Sequence, residues 1–464
     1  MKKKLRRYIG DRHFYKMLLA IVVPIIIQNG ITNFVSLLDN LMVGRIGTEQ
    51  MSGVAIVNQL IFVFNLCIFG AVSGAGIFTA QFFGHGDHEG VRNTFRFKFL
   101  ISIAFSVIGI AVFVSAGSQL VSLFLHEGGE SGDIMQTLKY GEQYLGWILI
   151  GLLPFALSQV YSGTLRETGE TIVPMIAGVA AVFVNLIFNY LLIYGSFGFP
   201  KLGVEGAAIA TDISQVLSCI FALWFLMRVP DIYRINPKKL SIDRTMAGRI
   251  IQVGLPTAIQ NTVISFSNVL VQSGVNGFGA SAMAGFGAYL KVDGFNILPV
   301  MSFSMAATTF TGQNYGAGKT DRIRKGLRVT LGMSVLYTIV TGILLLTFSR
   351  PIIGIFSSDK EVIYYGAQAM KYFCPFYFLL GIMHSLAGTI RGTGKTVPPM
   401  VVMLLALCLF RILWIQFVVP HFTSIDIIYV LYPVSWAVGM ILMLIYAWKG
   451  NWMPKKYQNI NQTV

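Results

Sequence analysis

The chain has 464 residues, of which 55% are hydrophobic and only 12% charged, and it carries a formal net charge of +15. A mean hydropathy of +0.67 excludes a water-facing surface over most of its length, so the solvent is lipid. The positive charge does not indicate nucleic acid, because its largest clusters, Lys2, Lys3, Lys4, Arg6 and Arg7 and then Lys319, Arg322, Arg324, Lys325 and Arg328, flank apolar stretches.

A helix needs about 20 apolar residues to cross the hydrocarbon. Twelve such stretches are predicted in chain order, at 17–38, 53–78, 97–116, 141–164, 172–194, 205–227, 248–271, 284–310, 327–348, 366–389, 397–419 and 428–448. The first is too long for a cleaved signal peptide and is interrupted by Pro24, Gln28 and Asn29, so it is expected to stay as a spanning helix. Placing the N-terminus inside assigns 27 of the 35 Lys and Arg residues to the inner side. Only Arg45, Lys139, Lys201, Arg350, Lys360 and Lys371 fall outside, and Lys291 and Arg411 lie within spans. This asymmetry is the positive-inside pattern of a multi-pass bacterial-type inner membrane protein with both termini cytoplasmic. Anionic headgroups can hold the basic loops at the inner surface. Cys67, Cys219, Cys374 and Cys408 all fall in predicted spans without metal-ligand spacing, which argues against disulfides and zinc.

The two halves repeat. An offset of 232 residues aligns Pro24, Gln28 and Asn29 with Pro256, Gln260 and Asn261, and Gln81, Gly84, Gly86 and Arg96 with Gln313, Gly316, Gly318 and Arg328. The offset then shortens to 225, where Arg166-Glu167-Thr168-Gly169-Glu170-Thr171 matches Arg391-Gly392-Thr393-Gly394-Lys395-Thr396. Six spans per repeat give both halves the same direction through the membrane, as in transporters with parallel repeats and a site near the midplane. The expected architecture is all-α and integral to the membrane: twelve helices in two pseudo-symmetric six-helix bundles around a central cleft. The bundles are read as residues 1–228 and 248–464, with 229–247 as a cytoplasmic linker.

Several motifs give this repeat a family likeness: Asp39-Asn-Leu-Met-Val-Gly44, the two Arg-x-Thr-Gly-x-Thr-like loops, Gly312-Gln-Asn-Tyr-Gly-Ala-Gly318, and Asn185-Leu-Ile-Phe-Asn189-Tyr with Ile193-Tyr-Gly. Through them the chain resembles the multidrug and toxic compound extrusion family over nearly its full length. The resemblance implies a secondary antiporter that exports small amphipathic, often cationic, drug-like compounds in exchange for H+ or Na+. It implies no enzyme activity and no cofactor beyond the coupling ion, and the chain is read as a monomer in the bilayer.

ATP is excluded as the energy source by spacing. Gly316-Ala-Gly-Lys-Thr320 and Gly392-Thr-Gly-Lys-Thr396 end like phosphate loops, but Gln313 and Thr389 stand where the first glycine belongs, and helices rather than strands precede them. His85-Gly-Asp87-His88 resembles a metal cluster, yet its repeat mate Ala317-Gly-Lys319-Thr320 lacks every ligand, so a solvated loop is expected.

Ionisable groups within spans are the strongest site candidates, because burying them is costly. Asp39 lies in the outer half of the first span and its repeat mate is Val271, so the helix itself does not require a carboxylate there. Asn185 and Asn189 share one face of the fifth span at similar depth, and Thr211 and Asp212 enter from the outer end of the sixth. Their hard oxygens suit Na+, and a carboxylate in the membrane is equally suited to carry H+. The family resemblance implies a cation site in the first bundle at Asp39, with Asn185, Asn189 and Thr211 around it and Na+ as one candidate ion. Many members carry Asp where Asn189 stands and others carry Asn. In the second bundle some members of the family carry acidic residues on the seventh and tenth helices, where this chain has Ile264 and Leu380.

Lys291, Asp293 and Arg411 form a second set of intramembrane charges, expected to pair with one another or to handle substrate. Gln159 and His384 are repeat mates nearer the inner mouth, and Gln28 and Gln260 are repeat mates in the first span of each half; all four are candidate substrate contacts, with helix packing as the alternative for Gln159 and His384. Two other functions compete. A lipid-linked glycan flippase shares the two-bundle design but needs a cationic cavity for pyrophosphate, for which only Lys291 and Arg411 are on hand. An integral-membrane enzyme needs a convergent catalytic set, and the spans contain no clustered His, Cys or carboxylate motif.

Overall fold

The computed structural model describes residues 12–123, 134–228 and 243–453, and every regular element among them is helical. In chain order the long helices are α1 (Arg12–Gly44), α2 (Thr48–His85), α3 (His88–Ser122), α4 (Ile134–Glu167), α5 (Ile172–Tyr194) and α6 (Val204–Arg228). Next come α7 (Arg244–Asn276), α8 (Ala280–Gly316) and α9 (Thr320–Thr347), then α10 (Lys360–Gly392), α11 (Val397–His421) and α12 (Asp426–Lys449). Ten of the twelve are long and apolar enough to cross a membrane; α7 and α8 have the length, at 33 and 37 residues, with more polar positions. The basic N-terminal segment, residues 229–242 of the expected linker and the tail beyond Met453 lie outside the described residues.

The repeat is visible in local chemistry. Pro24 in α1 and Pro256 in α7 are interior prolines at matching positions. Pro375 breaks α10 with a 3-10 turn at Cys374–Phe376, and α11 contains a π-turn at Leu405–Leu409 just before Arg411. The two Gly-Lys-Thr stretches are tight helix–helix turns, with Gly318 at φ +67° and Gly394 at φ +87°, conformations that favour glycine. In the His85–His88 segment the side chains serve the turn: Asp87 caps α3 by accepting from the Gly90 amide at 2.9 Å, and His85 Nδ1 lies 3.3 Å from the Gly316 carbonyl.

Contacts divide the chain into two compact units. One comprises residues 23–79 and 87–254, with α4 packed on α3 and α6, and α5 against α6. Its aliphatic core runs from Val43, Val54 and Val57 on the first helices to Ala207 and Ala208 on α6, and a second cluster joins Phe64, Ile68 and Phe95 to Tyr161 and Leu165. The other unit comprises residues 80–86 and 255–464 with the first 22, as far as these are described. Its core is strongly aromatic: Phe286, Tyr289, Phe373, Tyr377, Tyr429, Tyr432 and Trp436 form one cluster on α8, α10 and α12.

Helices α2 and α8 run past their predicted ends, by seven residues from 78 to His85 and by six from 310 to Gly316. The cause is a reciprocal crossing inside the second unit. A Cβ on Gly84 would stand 1.9 Å from the Gln313 carbonyl oxygen, and one on Gly316 would stand 1.8 Å from that of Gln81. Backbone meets backbone, so no other residue fits without displacing a helix, and the repeated Gln-x-x-Gly serves this contact. Gln81 also donates from Nε2 to the Gly392 carbonyl at 3.0 Å, tying the crossing to the end of α10. We expect Gly316→Ala to cost about 1–3 kcal/mol of stability through overpacking, measured by equilibrium unfolding in mixed micelles. A variant as stable as the parent would show that the crossing tolerates a side chain.

Candidate functional site

Asp39 sits near the end of α1, where Tyr194 on α5 donates to the Met42 carbonyl at 3.0 Å and holds the two helix ends together. Asn189 on α5 is 1% exposed and donates from Nδ2 to Asp39 Oδ1 at 2.5 Å. Asn185, one turn earlier, is also buried. Its amide satisfies its neighbours when the nitrogen faces Asp39, 3.0 Å from both carboxylate oxygens, and the oxygen accepts from Thr211 Oγ1 at 3.2 Å. The sequence-predicted quartet of Asp39, Asn185, Asn189 and Thr211 is therefore one hydrogen-bonded cluster built from α1, α5 and α6.

Two further groups belong to its surroundings. Asp212 is buried beside Thr211, and its carboxylate packs so closely on α4 that a Cβ at Gly151 would come within 2.1 Å of Oδ1. Tyr144 of α4 is buried and donates to Asn58 Oδ1 of α2 at 3.3 Å. Asn189 Oδ1 is buried and lacks a hydrogen-bond donor. Carboxylate, amide and hydroxyl oxygens thus converge with acceptor capacity to spare, which is the donor set of a hard-cation or proton site.

The expected pairing of intramembrane charges in the second unit does not form. Asp293 accepts from the Tyr377 hydroxyl at 2.7 Å, and Tyr377 and Tyr289 share a 3.0 Å hydroxyl contact. Arg411, 3% exposed, donates from Nε to Ser435 Oγ at 3.2 Å and from Nη1 to Asn268 Oδ1 at 3.0 Å, with its guanidinium 4.4 Å from the Tyr432 ring centroid. No ion pair within 4.0 Å joins Asp293 to Arg411 or Lys291; Lys291 is exposed and lies 5.7 Å from the Phe356 ring. The physical reason is the aromatic core: phenol, amide and hydroxyl partners and a π face satisfy each charge without direct contact.

Gln28, Gln159, Gln260 and His384 are placed singly. Gln28 is half-buried against Gly178 of α5, and Gln159 is half-buried on α4. Gln260 is 2% exposed and its Oε1 has no donor, while His384 is buried and its carbonyl accepts from Ser304 Oγ at 2.8 Å. None of the four hydrogen-bonds another.

A buried ion pair was not anticipated. By charge counting Lys98 goes with an inner loop, yet it is 0% exposed on α3, with Nζ 2.5 Å from Glu167 Oε2 and 2.8 Å from Thr164 Oγ1 on α4. A Cβ at Gly76 of α2 would stand 2.1 Å from Glu167 Oε1, so the carboxylate fills space that only glycine leaves. The signal was a polar stripe at helical spacing: Thr94, Lys98, Ser102 and Ser106, four residues apart, are all 0% exposed.

The MatE family model matches residues 24–191 and 256–415, one match in each repeat. The probable multidrug resistance protein NorM of Thermotoga maritima is 30% identical over 405 residues, covering 86% of this chain and 84% of that protein. The probable multidrug resistance protein YoeA of Bacillus subtilis is 26% identical over 452 residues, 95% of each chain. A MATE crystallised in complex with MaL6 superposes with a TM-score of 0.85 at 19% identity, covering 95% of this chain and 96% of that one. An outward-facing MATE transporter of the MOP superfamily gives 0.83 at 19% identity, covering 96% of both. With the family model on both repeats and a 30% identical relative along most of its length, this chain belongs to the MatE family and is a multi-pass membrane efflux transporter, not an enzyme.

Proposed function

We propose that the transporter exports amphipathic, often cationic, small organic compounds in exchange for H+ or Na+, with the ion taken up at Asp39. The observation that carries this reading is the Asp39–Asn185–Asn189–Thr211 cluster, with Asn189 Oδ1 left without a donor within it. A cation or a transferable proton is what such an acceptor-rich group takes. Asp39 would hold the ion, Asn185 and Asn189 would orient the carboxylate or supply amide oxygens, and Thr211 would complete the set. Relatives named for multidrug resistance, including PmpM of Pseudomonas aeruginosa at 26% identity, support the substrate class. The repeats, residues 1–228 and 248–464 with linker 229–247, are the bodies that alternate access in this scheme. The protein works as a monomer in the cell membrane with both termini cytoplasmic, which the charge asymmetry of the loops supports. The flippase reading gains nothing from Arg411, whose guanidinium is engaged by Asn268, Ser435 and Tyr432.

Efflux from proteoliposomes under imposed H+ or Na+ gradients tests the proposal and separates the two ions. We expect export of a fluorescent organic cation to follow one of the gradients and to persist without ATP, since neither Gly-Lys-Thr stretch has phosphate-loop spacing. Strict dependence on internal ATP would overturn secondary transport.

A further inference from the structure

The second unit has a cavity that plays no part in the Asp39 site, at the end that faces outward in the proposed orientation. It has a volume of about 210 Å³ and lies where α9 ends, between the short helix Ser349–Gly354 and the first turns of α10. Arg350 lines it from the short helix. Tyr364, Gln368 and Lys371 line it from α10, at i, i+4 and i+7 and so on one helix face.

The polar groups of this cavity are incompletely satisfied. Arg350 and Lys371 are exposed, and among the described residues neither has a carboxylate within 4.0 Å. The repeat mate of Lys371 at the offset of 225 is Gly146, so the helix itself does not require a cation there. Ser349, 8% exposed, also lines the cavity, and its hydroxyl makes no hydrogen bond to a described residue. Gln368 donates from Nε2 to Asp426 Oδ1, and its buried Oε1 has no donor among the described residues. Toward the membrane centre the exposed apolar face of α9, Leu336, Val340, Ile343 and Leu344, leads up to Thr347, which lines the cavity.

We propose that this cavity binds an outer-leaflet phospholipid with an anionic, hydroxylated headgroup, its phosphate held by Arg350 and Lys371 and a headgroup hydroxyl donating to Gln368 Oε1. Charge complementarity selects the phosphate, which matches a guanidinium and an ammonium lining one cavity. Two cations disfavour a third, so the donor that Gln368 Oε1 takes is a hydroxyl and not an ammonium. The Ser349 hydroxyl supplies a further donor. Apolar continuity selects a lipid over a free phosphate, since an acyl chain covers Leu344, Ile343 and Val340 while the head fills the cavity. Only the leaflet rests on the proposed orientation; the site is independent of the coupling ion and of the exported compound.

The test is native mass spectrometry of the full chain titrated in detergent with defined lipids, reading the affinity of the first lipid bound. Phosphatidylglycerol is compared with phosphatidylcholine and with phosphatidylmethanol, which carries the same charge and no headgroup hydroxyl. We expect the parent to bind phosphatidylglycerol about tenfold more tightly than phosphatidylcholine and about threefold more tightly than phosphatidylmethanol. Arg350→Gln with Lys371→Gln should lose most of the first preference, whereas the charge-matched Lys139→Gln with Lys201→Gln should keep it. Gln368→Leu should erase the second preference and retain the first. Equal losses in the two double variants would reduce the effect to diffuse surface charge and overturn the site. A Gln368→Leu variant that still prefers phosphatidylglycerol to phosphatidylmethanol would overturn the hydroxyl contact. Competition by inorganic phosphate at equivalent concentration would make it a free-anion site and overturn the lipid.

Discussion

Asp39→Asn is expected to give a folded, membrane-inserted protein that binds drug and fails to export it against a gradient. Coupling requires that the ion favour one access state over the other, so the residue holding it has to change its charge during the cycle. Asparagine keeps the size of the side chain and its place beside Asn185 and Asn189 but holds the neutral form throughout. An ion-to-substrate coupling of 1–3 kcal/mol corresponds to about a 5- to 150-fold difference in affinity, and we expect uphill efflux to fall by on the order of 100-fold. Downhill exchange of substrate across the same vesicles should survive, which separates lost coupling from lost folding. Uphill efflux equal to the parent at matched protein levels, across external pH 6 to 8 and with Na+ present, would remove Asp39 from the mechanism.

Breaking the Lys98–Glu167 pair is expected to be the most damaging change to stability. Lys98 is wholly enclosed, Glu167 is 13% exposed at its side chain, and the pair bridges α3 and α4 with Gly76 of α2 against the carboxylate. Removing one partner leaves the other charge buried without its direct counter-ion, which costs about 3–5 kcal/mol in comparable sites. Glu167→Gln and Lys98→Met should each approach that loss in equilibrium unfolding from mixed micelles. The pair Lys98→Met with Glu167→Leu removes both charges and should recover part of it, because the desolvation cost of the two ions disappears with their attraction while the neighbouring Arg166 still loses the Glu167 carboxylate. Single variants within about 1 kcal/mol of the parent would mean that the pair is solvated in the bilayer and contributes little.

Composition and periodicity were enough to establish lipid as the solvent, twelve spans and the repeat. Each rests on summed properties of many residues, which no single contact can reverse. Part of the Asp39 cluster was legible too: a charge at membrane depth with no counterpart at Val271, and two asparagines four residues apart at similar depth, follow from helical geometry, and the family resemblance grouped them with Thr211. How the buried charges are satisfied was settled by packing. Asp293 and Arg411 look like partners by sign and depth, but Tyr289, Tyr377, Tyr432, Ser435 and Asn268 reach them first, from helices that the sequence does not place side by side. Lys98 looks like a loop residue by its nearness to Arg92 and Arg96, but α4 brings Glu167 and Thr164 over it. Hydropathy adds along the chain, whereas a hydrogen bond depends on two atoms brought to about 3 Å by packing, and only the assembled helices set that distance.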